Sequence, residues 1–313
     1  MTKQQRVLVL GANGFIGSHL VDSLVDYGYL VRAFGRFENE PLFKISSRVE
    51  QFSGDFLNQT DIEEALIDVA YVVHLVSTTT PATSDKDPLI DLHTNVAGSI
   101  DLFQKCIANG SIKRIIFASS GGTVYGDNYP GRPFIETDPT NPISPYGIGK
   151  LTIENYLHYY HRVHGQDYTV FRIANPYGGR QKNTKQQGIM PVLVKNIAEG
   201  LPITIYGDGT MVRDYINIYD LVDIISKSLS HDLLYKTYNI GSAIGVSINE
   251  LVEIVESTTG NKAAIEHREI PATFVQTSVL DNARLAKEIP MNLTGIRDGT
   301  RSMYASLLDQ LNS

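Results

Sequence analysis

The chain predicts an α/β fold: a doubly wound parallel (Rossmann) sheet followed by a smaller C-terminal substrate-binding lobe. Two observations carry this. Through the first half, short apolar runs of strand length alternate with amphipathic stretches of helical period. The first run, Val7-Leu8-Val9-Leu10, ends in a glycine turn that opens the first helical stretch.

The predicted strands are Arg6 to Leu10, Tyr29 to Phe34, Val49 to Phe52, Tyr71 to Leu75, Arg114 to Ser119 and Tyr168 to Ile173. Helical patterns fill the intervals at Phe15 to Tyr27, Asp61 to Val69, Pro88 to Ala108 and Pro145 to Val163. Strands alternating with helices require a sheet covered on both faces, with ligands beyond the carboxyl ends of the strands. After about Asn175 the pattern loosens into a loop at Gly178 to Gln187, a helix over Gly188 to Ala198, short strands, and helices near Tyr219, Ser247 and Asn282.

In the first turn, glycines at 11, 14 and 17 permit positive φ, close approach to a pyrophosphate and tight helix–strand packing. Asn13, Phe15 and Ile16 lie between and beside them, where helix amides offer donors to a phosphate. The turn predicts a dinucleotide. The end of the second strand divides the vote: Arg36 favours the 2′-phosphate of NADP, whereas Glu38 serves the ribose hydroxyls of NAD. Asp55 and Phe56 follow the third strand, where an Asp meets an adenine amino group.

Tyr146 and Lys150 are four residues apart behind Ser144-Pro145, so a helix starting there stacks them on one face. An ammonium beside a phenol favours the phenolate, which predicts a lowered Tyr146 pKa and proton exchange with an alcohol or ketone near neutral pH.

Composition narrows the function classes. A formal net charge of -7 over 313 residues argues against a general nucleic-acid binder and requires local arginines for any anionic substrate. No apolar run reaches the length of a membrane span. The N-terminus reads as a first strand rather than a signal peptide, and the single cysteine, Cys106, suits packing in a reducing, cytoplasmic setting. His158, His161 and His164 follow the Tyr-Lys pair with no acidic partner and suit helix packing or a dimer contact; no metal site is expected.

The glycine turn, Ser119-Ser120-Gly121-Gly122-Thr123-Val124-Tyr125-Gly126, and Tyr146-x-x-x-Lys150 together resemble the extended short-chain dehydrogenase/reductase family. Arg172-Ile173-Ala174-Asn175-Pro176-Tyr177-Gly178 and Tyr206-Gly207-Asp208-Gly209-Thr210-Met211-Val212-Arg213-Asp214-Tyr215 resemble its nucleotide-sugar epimerase branch, and the resemblance spans nearly the whole chain.

The resemblance implies Tyr146 as the proton-transferring residue, with Lys150 holding both the nicotinamide ribose and the acidity of Tyr146. It implies NAD, with NADP open, against Leu75, Val76, Ser77, Asn95, Ser119 and Ile173. It places a UDP-linked hexose, plain or N-acetylated, against Thr78, Asn175, Gly188, Ile189 and Thr204, with Tyr206 and Arg268 beside it. Arg213 grips the diphosphate and Ser278 gates the sugar's C2 substituent. Where the family commonly carries a Ser or Thr that bonds the substrate hydroxyl, this chain has Gly121, which leaves Ser119, Ser120 and Thr123 as candidates.

The division implied is residues 1–175 for the cofactor and catalytic groups and 176–313 for the nucleotide sugar, the two interleaved. Three functions compete: a 4-epimerase, an NADPH-dependent reductase of a 4-keto sugar, and a non-catalytic nucleotide-binding regulator. A 4,6-dehydratase fits less well, because Gly121, Gly122 and Thr123 stand where it needs an acid–base pair. The family also implies a homodimer through the helices at Pro88 to Ala108 and Pro145 to Val163.

Overall fold

The computed structural model describes residues 5–127, 129–181 and 188–311; most of the loop expected over Gly178 to Gln187 lies outside the described residues. In chain order the strands are β1 (Arg6–Leu10), β2 (Leu30–Gly35), β3 (Val49–Ser53), β4 (Tyr71–His74), β5 (Arg114–Ser120), β6 (Tyr168–Ile173) and β7 (Asn175–Tyr177). They continue as β8 (Pro202–Tyr206), β9 (Val212–Asn217), β10 (Thr237–Ile240), β11 (Gly245–Ser247), β12 (Ala264–Arg268) and β13 (Thr277–Ser278).

A seven-stranded sheet runs in the order β10-β6-β5-β4-β1-β2-β3. From β3 through β2, β1 and β4 to β5 the pairings are parallel. Strand order reverses between β1 and β4, the switch point at which doubly wound sheets bind ligands. The predicted α/β class is the observed one.

The chain forms two compact units. The first comprises residues 1–120, 144–172 and 222–238; the second comprises residues 121–143, 173–221 and 239–313. In the first, Leu8, Leu10, Val72, Ile115 and Val170 on the strands share a core with Leu102, Phe103, Cys106, Ile153 and Leu157 on helices. Helix Ala97–Asn109 buries Ser99, Leu102, Phe103 and Cys106, the 3.6-residue stripe of a one-faced helix, and stops at Gly110 in the left-handed region (φ 69°). Cys106 is fully buried, as a packing role requires.

Helix Pro145–His164 starts where its sequence dictates. Ser144 Oγ accepts from Gly147 N at 3.2 Å, and Pro145 occupies the first turn, where its missing N–H costs nothing. Its inner face buries a lysine and a glutamate, Lys150 and Glu154, among Ile153, Leu157 and Tyr160.

The single helix expected over Pro88 to Ala108 is three pieces: α over Pro88–Ile90, π over Asp91–Val96 and α over Ala97–Asn109. A π segment inserts one extra residue per turn, which hydrophobic periodicity does not reveal. The helix expected from Asp61 starts earlier, at Gln59–Ala65, because Asn58 caps it by accepting from Thr60 N at 3.0 Å.

In the second unit, β11-β9-β13 form a sheet with β7 also on β9, and β8 pairs with β12. Its core joins Met190, Leu193 and Ile197 to Ile203, Ile205, Leu251 and Val255.

Candidate active site

The glycine turn after β1 is a backbone cradle. Gly11 adopts φ +85°, and a Cβ on Gly17 would stand 2.1 Å from Gly11 O, so helix Phe15–Asp26 can begin this close to the strand only with glycine there. Gly14 is the N-cap and contributes no side-chain bond, so the first-turn amides keep their donors for an anion. Gly11 also faces the backbone of Leu75 and Val76 across the switch point, at 3.4 Å from an ideal Cβ. These features fit the pyrophosphate of a dinucleotide. Phe15 and Ile16 open the helix half-buried, and Asn13 Oδ1 ties the turn to Leu42 N at 2.8 Å.

Around this cradle the expected cofactor residues divide. Arg36 and Glu38 are both exposed just past β2. Asp55 Oδ1 accepts from Leu57 N at 2.9 Å. Phe56 belongs to the core, its ring 5.2 Å from that of His74. His74 is buried, bonds Ser99 Oγ at 2.8 Å, and is held neutral with its pKa pushed down to about 3, by burial first and then by Lys150.

Tyr146 and Lys150 share one face of their helix, with Lys150 Nζ 5.6 Å from the Tyr146 ring centroid. Lys150 Nζ donates to Ala118 O at 2.9 Å and lies 4.8 Å from the centroid of Phe117. The lowered Tyr146 pKa expected from the spacing is not what the structure shows. Burial, then the Asp91 carboxylate, raise it, while a hydrogen bond with Ser77 pulls it down. Tyr146 keeps part of its surface open, so solvent tempers the rise. Lys150 is buried and pushed down to about 8 by desolvation, opposed by Asp91 and then Glu154. A charge shared with a carbonyl and two carboxylates does less for the phenol than an isolated ammonium would.

Asn95 sits on the π segment and organises the strip after β4. Its Oδ1 accepts from Thr78 N at 2.8 Å, and its Nδ2 donates to Thr79 Oγ1 at 2.9 Å and Asp91 Oδ1 at 2.8 Å. Ser77 Oγ donates to Thr79 O at 2.9 Å. The Ser119 hydroxyl bonds to Glu154, which also takes Arg172 in a buried bidentate pair with Nη2 to Oε2 at 2.8 Å. Removing one partner of such a pair costs about 3–5 kcal/mol. Ser120 ends β5 and Thr123 lies half-buried on the one-turn helix Gly121–Val124.

In the second unit, register assembles the expected substrate residues in two groups. Ser278 pairs with Arg213, and Asn175 with Tyr215, on the strands flanking β9. Asn175 Nδ2 donates to Asp214 O at 2.8 Å. Arg213 donates to Val212 O at 2.9 Å, Gln276 O at 3.2 Å and Val275 O, with donors of its fork to spare. Asp214 is not its partner: fully buried, it accepts from Ser242 N, Ala243 N and Leu280 N. Ser278 is buried, its Oγ 3.4 Å from Gly121 O, and does not face solvent. In the second group Tyr206 pairs with Arg268 and Thr204 with Glu266, on β8 and β12. Gly188 (φ +73°) and Ile189 precede helix Met190–Ala198.

Sequence reasoning missed Asp91, Glu154 and Ser84, whose Oγ accepts from Tyr146 N at 3.1 Å. An acidic residue in an amphipathic helix reads as a solvated face; the spacing of Asp91 and Asn95 was the one available signal. Among the described residues no cluster of His, Cys, Asp or Glu is arranged to hold a metal ion, and no helix is long and apolar enough to cross a membrane.

The chain is similar to a putative UDP-glucose 4-epimerase of Methanocaldococcus jannaschii, 32% identical over 259 residues, covering 81% of this chain and 82% of that protein. It is also similar to a dTDP-4-dehydro-6-deoxyglucose reductase of Escherichia coli, 30% identical over 303 residues and 95% of both chains. Its structure resembles that of UDP-glucose 4-epimerase from Thermotoga maritima, solved with UDP-glucose, with a TM-score of 0.92 at 30% identity, covering 98% of this chain and 100% of that one. Residues 7–241 match the model of the NAD dependent epimerase/dehydratase family. With a glycine cradle at the switch point and Tyr146 stacked by Lys150 beyond β5, the chain belongs to the NAD dependent epimerase/dehydratase family, the epimerase branch of the extended short-chain dehydrogenases/reductases.

Proposed function

We propose that the protein is an NAD-dependent epimerase that inverts C4 of a UDP-linked hexose, plain or N-acetylated, through a transient 4-keto sugar. The observation that carries this reading is the Tyr146–Lys150 face, with Lys150 Nζ 5.6 Å from the Tyr146 ring centroid. NAD, when bound, supplies the acceptor and then the donor of the C4 hydride. Tyr146, as the phenolate, takes the C4 hydroxyl proton at its Oη and gives it back to O4 once the 4-keto sugar has turned its other face to the hydride. Lys150 holds the nicotinamide ribose and the charge beside the phenol. Arg213 and Asn175 take the diphosphate, since a guanidinium matches phosphate oxygens in a fork. Gly121 carries no hydroxyl, so Thr123 and Ser120 are assigned the substrate hydrogen bond.

A second reading has its own support: a reductase of a nucleotide-linked 4-keto sugar using external NADPH. Arg36 stands exposed just past β2, and the relative from Escherichia coli is named as such a reductase. Incubating the purified protein with UDP-glucose, without added reductant, separates the two. Formation of UDP-galactose at substoichiometric NAD supports the epimerase. Consumption of NADPH with a 4-keto sugar nucleotide, and no interconversion of the hexoses, replaces it with the reductase.

The proposed assembly is a homodimer through helix Pro145–His164 and the segment before helix Ala97–Asn109. Ile148, Tyr156, Tyr159 and Val163 form an exposed stripe at helical spacing, and Leu89, Ile90 and Leu92 are exposed on the neighbouring segment.

A further inference from the structure

We propose that Asp91 is a positioning residue for the Tyr146–Lys150 pair: a buried carboxylate, clamped by Thr79 and Asn95 against Gly149, that holds Lys150 in its ammonium form. The inference deepens the reading of this pair as the proton-transfer site and rests on it.

Three observations converge on Asp91. It opens the π segment, four residues before Asn95, so the two share one face, and both are buried. Its Oδ1 accepts from Asn95 Nδ2 at 2.8 Å and from Thr79 Oγ1, which fixes the carboxylate in place. Its Oδ2 lies so close to the Tyr146 helix that a Cβ on Gly149 would stand 2.1 Å from it. Only glycine lets the carboxylate approach there, one residue before Lys150.

A carboxylate in such surroundings is costly without a cation to answer it. Among the described residues no ion pair holds Asp91 within contact distance, which leaves the field of Lys150 as its counter-charge. The other charged and titratable groups facing the lysine are accounted for. Glu154, on the same helix, is held bidentately by Arg172 from β6. His74, from β4, is neutral and bonded to Ser99. Ala118 of β5 contributes a carbonyl, and Tyr146 a phenol. Of the two carboxylates that oppose desolvation of Lys150, Asp91 has the larger effect. The same charge raises the Tyr146 pKa.

The test reads the lysine itself. Asp91→Asn preserves shape and both hydrogen bonds but removes the charge. In protein labelled with ¹³C-lysine, the Lys150 Cε resonance is assigned by its loss in Lys150→Met and followed against pH. The expected result is a titration midpoint about one pH unit lower in Asp91→Asn, a tenfold loss of proton affinity. The alkaline limb of kcat should move with it while KM stays. An unmoved Lys150 midpoint in folded Asp91→Asn overturns the proposal, whatever the activity does. If that variant does not fold, Gly149→Ala, which forces the carboxylate away, is read the same way, and an unmoved midpoint there overturns it too. Epimerase and reductase assays on the unaltered protein are independent of this titration: failure of both with a shifted midpoint sinks the reaction and leaves the positioning intact.

Discussion

Lys150 lies over the ring of Tyr146, its Nζ 5.6 Å from the ring centroid, while it donates to Ala118 O at 2.9 Å. In the proposed reaction the proton is carried by Tyr146. Tyr146→Phe keeps the ring and its packing but has no proton to exchange, so turnover should fall about a hundredfold or more while NAD binding persists. Near-full turnover in steady-state assays would remove Tyr146 from the chemistry.

The pH dependence follows from the lysine. Its pKa in the folded protein is pushed down to about 8 by burial, so the ammonium is present below that pH and lost above it. Activity that needs the charge should hold up to about pH 8 and then fall by roughly tenfold per pH unit. A kcat profile flat to pH 10 would show that the ammonium is not required.

Arg213 is tied to the carbonyls of Val212, Val275 and Gln276, which aims its guanidinium without consuming every donor. Arg213→Ala should weaken nucleotide-sugar binding by about 2–3 kcal/mol, the scale of a charge-assisted contact, with little effect on NAD retention. Calorimetric titration showing unchanged affinity would assign Arg213 to holding the β9–β13 edge alone.

Ser278 is buried and pairs in register with Arg213, so a larger side chain there must intrude on its surroundings. In Ser278→Tyr, turnover of the N-acetylhexosamine nucleotide should drop while the plain hexose is spared. Equal losses on both, measured beside a melting curve that reports overpacking, would take Ser278 out of the sugar pocket.

The exposed stripe of Ile148, Tyr156, Tyr159 and Val163 calls for a cover. Light scattering at micromolar concentration should give twice the chain mass, and Ile148→Asp with Tyr159→Glu should halve it without loss of helical signal. A monomeric parent protein would refute the interface.

How much was legible in the sequence depended on the range of the forces involved. The glycine turn, the Ser144-Pro145 helix start and the stacking of Tyr146 on Lys150 follow from local rules: which residues tolerate positive φ, which cap a helix, and which side chains lie four apart. Alternating periodicity likewise dictated the doubly wound sheet. Tertiary structure decided what periodicity cannot encode. Asp91 and Asn95 are buried on the π segment, where polar residues of an amphipathic pattern read as solvated. Burial reversed the expected Tyr146 shift, because a pKa responds to every charge and to the solvent around it, not to one neighbour in sequence. Asp214, adjacent to Arg213 and opposite in charge, turned out to anchor Ser242, Ala243 and Leu280, since adjacent residues of a strand point to opposite faces.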